Sequence, residues 1–463
     1  MAKKWPGGII TKNQATPTGP SQTGVAPGVW TIPQMDYWVQ QGLWPVAGTA
    51  FWINSLGAAA NYEWYYGVAI DSTKNIYCFG ADNTTGGDML FTKYNSAGVN
   101  QWQKTLGAAS GQFIGYGIAI DSSDNIYVCG VSSANKGLLL KYDTSGTLQW
   151  QREFPLTSGF YRLAIDSSGN IFPTGLYTTA TPRTVGLTVK FNSSGTLQTI
   201  QKVLSSGTAS VQRLEDIAFD SSGNFYVCGR TDISNTAGNY DCYLVKYDST
   251  GTAQFQVGYS ASTSVITESY YGIAIDSSDN IYCAGAVHNG TVFVGSLVKY
   301  NTSGVIQWQK SLSGSLQMQF RGVATDSSGN IYCVGNYSNT DFGVIVKYSS
   351  SGVLQWQRSL AKTSSSIDLR AIKVDNAGNM YISGIETITA STYANGLLLK
   401  LPSNGTLTGT YGSYTYAVSS YTDNTPSYTA STKSAIDTNL TQTATTSTYT
   451  AGTAAYTSTT TTL

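Results

Sequence analysis

Ile114-Gly-Tyr-Gly-Ile-Ala-Ile-Asp-Ser-Ser-Asp-Asn-Ile-Tyr-Val-Cys-Gly130 is followed, after a short loop, by Leu138-Leu-Leu-Lys-Tyr-Asp-Thr-Ser-Gly-Thr-Leu-Gln-Trp-Gln151. Four short apolar runs lie in this stretch: A (116–120), B (125–130), C (138–142) and D (148–151). Asp-Ser-Ser-Asp separates A from B, and Asp-Thr-Ser-Gly separates C from D. Both are turn chemistry, because Asp, Ser and Gly bond locally or tolerate positive φ. None of the runs is long enough, or spaced at 3.6 residues, to read as a helix.

Working outward, the same unit recurs seven times along the 463 residues. Its Asp is Asp71, Asp121, Asp166, Asp220, Asp276, Asp326 and Asp375, each followed four residues later by Asn. A Gly stands nine residues after every one of these: Gly80, Gly130, Gly175, Gly229, Gly285, Gly335 and Gly384. Strand C ends in Lys93, Lys141, Lys190, Lys246, Lys299, Lys347 or Lys400, and strand D carries Trp102, Trp150, Phe255, Trp308 or Trp356; the third unit has no aromatic there. Two residues before the Asp the side chain is Ala in six units (Ala69, Ala119, Ala164, Ala218, Ala274, Ala324), as a crowded axis demands, and Lys373 in the seventh. Four strands per roughly 50 residues is the period of a propeller blade. The expected fold is all-β: a seven-bladed β-propeller over 51–408, preceded by an extended N-terminal segment with one short helix and followed by a Thr/Ser/Tyr-rich, β-prone C-terminal tail. Phe51–Leu56 reads as a D strand ahead of the first A strand and is expected to complete the last blade, removing exposed edges.

The repeated Gly-Ile-Ala-Ile-Asp-Ser-Ser-Asp-Asn-Ile-Tyr and Lys-Tyr-Asn-x-Ser-Gly-x-x-Gln-Trp patterns resemble the bacterial and viral β-propeller repeat family. That resemblance implies the fold and leaves function open, because propellers host many activities.

The units are nearly invariant in the A–B and C–D turns, which share one rim. There the Asp and Lys are expected to approach each other as structural pairs within Asx turns; a calcium site would need more carboxylates than the turn supplies. The B–C and D–A loops vary and share the opposite rim, where binding usually sits. Five residues before each Asp, near that rim, stand Tyr66, Tyr116, Tyr161, Glu215, Tyr271, Arg321 and Arg370, flanked by Tyr65, Phe160, Tyr270 and Phe320. Such aromatics either pack between blades or form a platform for a glycan or a partner.

Outside the repeats, residues 1–50 begin with a Gly/Pro/Thr/Ser-rich strap. A short helix is expected over 31–42, with Thr31 as cap and Gly42 as stop. Trp30, Ile32, Met35, Trp38, Leu43 and Trp44 are too apolar for a free helix and are expected to dock on a partner or on the propeller. The segment from Ala26 through Gly28-Val29-Trp30-Thr31 to Trp44-Pro45 resembles the N-terminal segment of structural proteins of marine tailed bacteriophages. The resemblance implies a virion protein whose N-terminal segment attaches to other virion proteins. Residues 409–463 are rich in Thr, Ser, Tyr and Ala, with alternation at 411–416; they are expected to order on assembly as intersubunit β structure.

Composition narrows the function further. Charged residues are 11%, Lys+Arg 26 balance Asp+Glu 26, and there is no basic cluster. Binding of nucleic acid by phosphate neutralisation is therefore not expected. No secretory h-region and no long apolar run occur, so neither export nor membrane insertion is expected. Cys78, Cys129, Cys228, Cys242, Cys283 and Cys333 show no CxxC spacing and read as reduced, buried thiols. The single His288 cannot build a Ser/His/Asp set or a His-based metal cluster. Glu63 and Glu268 are the only carboxylates that suggest a glycan-cleaving pair, and they fall in different units. The expectation is a non-enzyme with no cofactor and no metal, a homo-oligomeric virion protein of tail-fibre or adhesin type with host surface polysaccharide as a possible ligand. A capsid decoration or head-fibre protein, a non-viral surface propeller and a glycan-cleaving propeller are the alternatives.

Overall fold

The computed structural model describes residues 4–5, 8–9, 51–57, 62–82, 87–107, 112–178, 184–205, 212–232, 240–260, 267–337, 342–388 and 393–426, together with short tail stretches at 429–432, 436–439, 445–446, 450–453 and 457–462. The helix expected over 31–42 and the docking residues Trp30, Ile32, Met35, Trp38, Leu43 and Trp44 lie outside the described residues.

Each unit forms an antiparallel sheet in the order A-B-C-D. The first is Glu63–Ile70, Ile76–Asp82, Asp88–Tyr94 and Asn100–Gly107. Units two and three share one long strand, Leu148–Ile165, whose first half is a D strand and whose second half is an A strand. The seventh unit takes its D strand from the front of the chain: Trp52–Gly57 pairs with Ala394–Pro402, with Leu398 opposite Asn54. Seven such sheets are present among the described residues, and their A strands contact one another in cyclic order, the seventh returning to the first.

The apolar cores lie between sheets. Tyr77, Phe79 and Phe91 of unit one pack with Ile118, Val128, Leu138 and Leu140 of unit two. Trp52, Leu56 and Leu398 of unit seven pack with Tyr65, Val68 and Cys78 of unit one, so the same packing closes the ring. This explains why the B and C strands are buried along almost their whole length instead of alternating: a neighbour covers each face. All six cysteines are free and buried in these layers.

The invariant turns knit the rim. Asp71 accepts from the N–H groups of Thr73 and Asn75, from Asn75 Nδ2 at 2.8 Å and from Tyr77 Oη at 3.0 Å. Asp326 repeats the pattern with Ser328, Asn330 and Tyr332. The Lys of strand C behaves differently from expectation in most units. In all seven it lies over the ring at the start of its own B strand, 5.1–5.9 Å from the centroid. From there Lys93 donates to Thr144 O of the next unit, and Lys246, Lys299 and Lys400 do likewise to Thr302, Ser350 and Ser96. An Asp–Lys contact under 4 Å forms in two units, Lys190–Asp166 and Lys246–Asp220. A flexible ammonium has reached the neighbouring blade's carbonyl, because the Asp is already saturated by its own turn.

The tail encircles this ring. Tyr414–Val418 pairs with the D strand of unit six, Thr422–Asn424 with that of unit five, Thr429–Thr432 with unit four and Ile436–Asn439 with unit three. Thr445–Thr446 continues on unit two, Thr450–Thr453 on unit one and Thr457–Thr462 on unit seven. In this structure the tail thus pairs with the chain's own D strands, and each four-stranded unit gains a fifth strand. Pairing every outer strand covers the edges that would otherwise template aggregation.

Candidate functional site

All seven A strands carry a β-bulge at the same place. Tyr65 faces Gly80 and Gly67 faces Phe79, leaving Tyr66 unpaired between them. The register shifts equally around Tyr116, Tyr161, Glu215, Tyr271, Arg321 and Arg370. A bulge adds one residue to a strand and re-aims its side chain. It also drives the A-strand carbonyl against the B strand: a Cβ on Gly80 would sit 1.6 Å from Trp64 O, and one on Gly335 1.8 Å from Gln319 O. The invariant Gly nine residues after each Asp is the counterpart of the bulge.

The seven bulge residues converge on one cavity of about 190 Å³ at the variable-rim end of the axis, lined also by Arg162, Arg213 and Arg230. It adjoins an axial channel of about 690 Å³ walled by the small residues Ala69, Ala119, Ala164, Ala218, Ala274 and Ala324, with Lys373 in the seventh place. The preceding residues do something else: Tyr65, Phe160, Tyr270 and Phe320 are fully buried between sheets. The packing between blades expected of such aromatics thus falls to these flanking residues, while Tyr66, Tyr116, Tyr161 and Tyr271 line the cavity.

The rings and cations form a nearly continuous collar. Tyr66 and Tyr116 have centroids 5.1 Å apart, and Tyr116 meets Tyr161 edge-on at 5.1 Å. Arg213 lies 4.0 Å from the Tyr161 ring, Arg321 4.6 Å from Tyr271 and Arg370 5.3 Å from Tyr66. Arg213 Nε pairs with Glu215 at 2.7 Å, and Arg370 pairs with Asp368 at 2.5 Å. Burial alone would weaken the charge of Arg213; Glu215 and the surrounding tyrosines hold its pKa above the ordinary value. Burial also pushes the hydroxyls of Tyr66, Tyr116, Tyr161 and Tyr271 up, so they remain proton donors at neutral pH.

Just inside the collar, Arg162 donates to the carbonyls of Tyr116 and Tyr161. Asp216 accepts from the N–H groups of Ile217 and Ile273, bridging units four and five. Burial pushes the Asp216 carboxyl up, while Arg162 and these N–H groups pull it back. Arg162, Arg213 and Arg230 were not singled out in the sequence. Arg213 was legible, standing two residues before Glu215 on the same strand face; Arg230 reaches the cavity only through its B strand, next to the bulge glycine.

Of the remaining candidates, Glu63 is buried in the first A strand, and Glu268 accepts the His288 N–H at 2.9 Å in unit five. Among the described residues no group of three or more His, Cys, Asp or Glu could hold a metal ion. No helix among them is long and apolar enough to cross a membrane.

Residues 101–136 match the family profile described as a beta-propeller repeat. No curated protein matches the chain. Among solved structures it is similar to selenomethionine-substituted virginiamycin B lyase from Staphylococcus aureus, at 12% identity and a TM-score of 0.50, over 76% of this chain and 99% of that one. A streptogramin B lyase (13% identity, TM-score 0.48, 76% and 99% covered) and polysaccharide lyase Uly1 (9%, 0.45, 75% and 91%) lie further off. At such identity the likeness concerns the fold alone, and the fold is a β-propeller.

Proposed function

We propose that the protein is a non-enzymatic bacteriophage virion component of tail-fibre or adhesin type, which binds a host-surface glycan or a neighbouring virion protein at the mouth of its channel. In this reading residues 1–50 attach to the particle, 51–408 form the binding body and 409–463 belt it, with the body presented as a homo-oligomer. The observation that carries the binding role is the convergence of seven bulge residues on one cavity at the rim where the loops vary. A rigid ring that aims one residue per blade inward, beneath variable loops, suits recognition. The collar's chemistry supports binding over hydrolysis, since the one carboxylate that lines it among the described residues, Glu215, is held by Arg213. The resemblance of residues 26–45 to phage structural proteins supports the virion assignment.

The test uses the full chain. Labelled protein is expected to bind host cells, with Tyr116→Ala weakening binding at least tenfold, and antibody labelling is expected to place the protein on intact particles. Deleting residues 1–45 is expected to abolish incorporation while the body still folds. Binding unaffected by Tyr116→Ala, or incorporation that survives the deletion, overturns the corresponding half.

A further inference from the structure

We infer that the channel mouth takes an acidic saccharide, with a carboxylate or sulfate lodged among the arginines and the sugar ring laid on the tyrosines. The inference rests on the reading of this mouth as the binding face and adds the ligand's charge. Charge is unevenly distributed around the collar. Units one to three present Tyr66, Tyr116 and Tyr161, whereas units six and seven present Arg321 and Arg370. Among the described residues five guanidiniums line the cavity against one carboxylate, in a chain whose overall charge is zero.

Two of the five have a carboxylate, Arg213 and Arg370. Among the described residues Arg162, Arg230 and Arg321 have none within 4 Å, and the buried Nε atoms of Arg230, Arg321 and Arg370 have no hydrogen-bond partner. Buried donors without partners are uncommon in folded proteins, and those facing a cavity are placed to bond a ligand that enters it. Guanidinium forks match the planar oxygens of carboxylate and the oxygens of sulfate. The hydroxyls of Tyr66, Tyr116 and Tyr161 likewise have no hydrogen-bond partner among the described residues, leaving donors for sugar hydroxyls beside an aromatic surface. At about 190 Å³ the cavity is smaller than the roughly 300–1,000 Å³ of drug-sized sites, so it admits one ring of a longer chain.

Calorimetry on the full chain decides the matter, with short oligogalacturonate, a sulfated galacto-oligosaccharide, the matched neutral galacto-oligosaccharide, inorganic sulfate and a short oligodeoxynucleotide as probes. At least one acidic saccharide is expected to bind ten times or more tighter than the neutral one and tighter than either non-sugar anion. Arg321→Gln is expected to lower acidic-saccharide affinity about tenfold and leave neutral-sugar binding unchanged; Arg230→Gln provides a second variant, with melting curves confirming the fold. Equal binding of acidic and neutral sugars with Arg321→Gln silent overturns the acidic inference but leaves glycan binding standing. Equal binding of sulfate or the oligonucleotide overturns the sugar component. Binding to host cells with none of these saccharides bound overturns the inference while sparing the binding role; loss of both overturns the two together.

Discussion

The two ends of each inner strand carry opposite chemistry. At the Asp end the turn carboxylate is satisfied inside the protein: Asp71 alone accepts from two backbone N–H groups, two side chains on its turn and the Tyr77 hydroxyl. At the bulge end, some five residues earlier, arginines and tyrosines face a cavity with donors left over. One end repeats because it must close the same bonds seven times. The other varies because nothing in the ring depends on which side chain a bulge presents. The saturated turn carboxylates hold the fold, and the arginine donors at the cavity are the groups proposed to hold a ligand.

The sharpest test comes from a group on the variable rim that is fully satisfied. Glu386 accepts from Lys362 of unit six, Tyr414 of the tail at 2.7 Å, Ser55 of the closing strand at 2.9 Å and Ser365 at 3.1 Å. It is completely buried and ties together the ring seam and the start of the belt. Glu386→Ala is expected to lower stability by about 3–5 kcal/mol, because it leaves Lys362 and the tyrosine without their acceptor. Urea denaturation checks it. A change under about 1 kcal/mol would mean that rim position, not satisfaction, governs stability.

Next in size is the bulge itself. Gly335→Ala places a methyl against Gln319 O, so the A–B pairing must open. The expected loss is about 1–3 kcal/mol, and the cavity should change shape with it, since Arg321 sits on that bulge. Measuring ligand affinity and melting temperature on one variant shows whether the two ends of the strand are coupled.

Much of this was legible in sequence and some was not. The Asp, Gly, Lys and Trp landmarks locate the strands, because turn chemistry and local burial are written in neighbouring residues. The glycine's purpose was not legible: it answers a carbonyl sixteen residues earlier in the chain, as Gly80 does Trp64 O, across a pairing whose register shifts. The seven candidates were found by their distance from the Asp, yet only the bulge explains why Tyr66 faces the axis while Tyr65 packs between sheets. The tail's alternation at 411–416 showed strand character. Its partners were hidden, because backbone pairing to a sheet edge carries no side-chain code.

A smaller effect separates the Asp turns by pH. Burial pushes the carboxyls of Asp71, Asp276, Asp326 and Asp375 up, but the turn's hydrogen bonds outweigh it and hold them below the usual range. Stability from groups depressed in this way is present above their unfolded pKa near 4 and lost as pH falls through the lower folded value. Melting temperature is therefore expected to hold steady from neutrality to about pH 5 and to drop below about pH 4. Asp326→Ala is expected to cost about 1–2 kcal/mol at pH 7, and less at pH 2, where the wild-type carboxyl is protonated as well.

The smallest expected effect probes an irregularity in the turns of the uniform rim. The fourth position of the A–B turn takes positive φ: Gly fills it in four units, whereas Lys74, Asp124 and Asp279 hold φ of 69°, 61° and 61°. An L-residue there costs roughly 1–2 kcal/mol, less for Asp, which tolerates the region. The non-glycines reach across the seam. Asp124 accepts from the backbone and hydroxyl of Ser72 in unit one, Asp279 from those of Ser221 in unit four, and Lys74 approaches Asp375 of unit seven at 3.9 Å. Asp124→Gly relieves the backbone and removes two exposed hydrogen bonds, so the two changes nearly cancel. The net shift is expected to stay within about 0.5 kcal/mol, measured by urea denaturation beside Ser72→Ala, which loses the hydroxyl bond and keeps the strain. If Asp124→Gly proves strongly destabilising, contacts between neighbouring turns contribute more to ring closure than the saturated Asp networks within each turn.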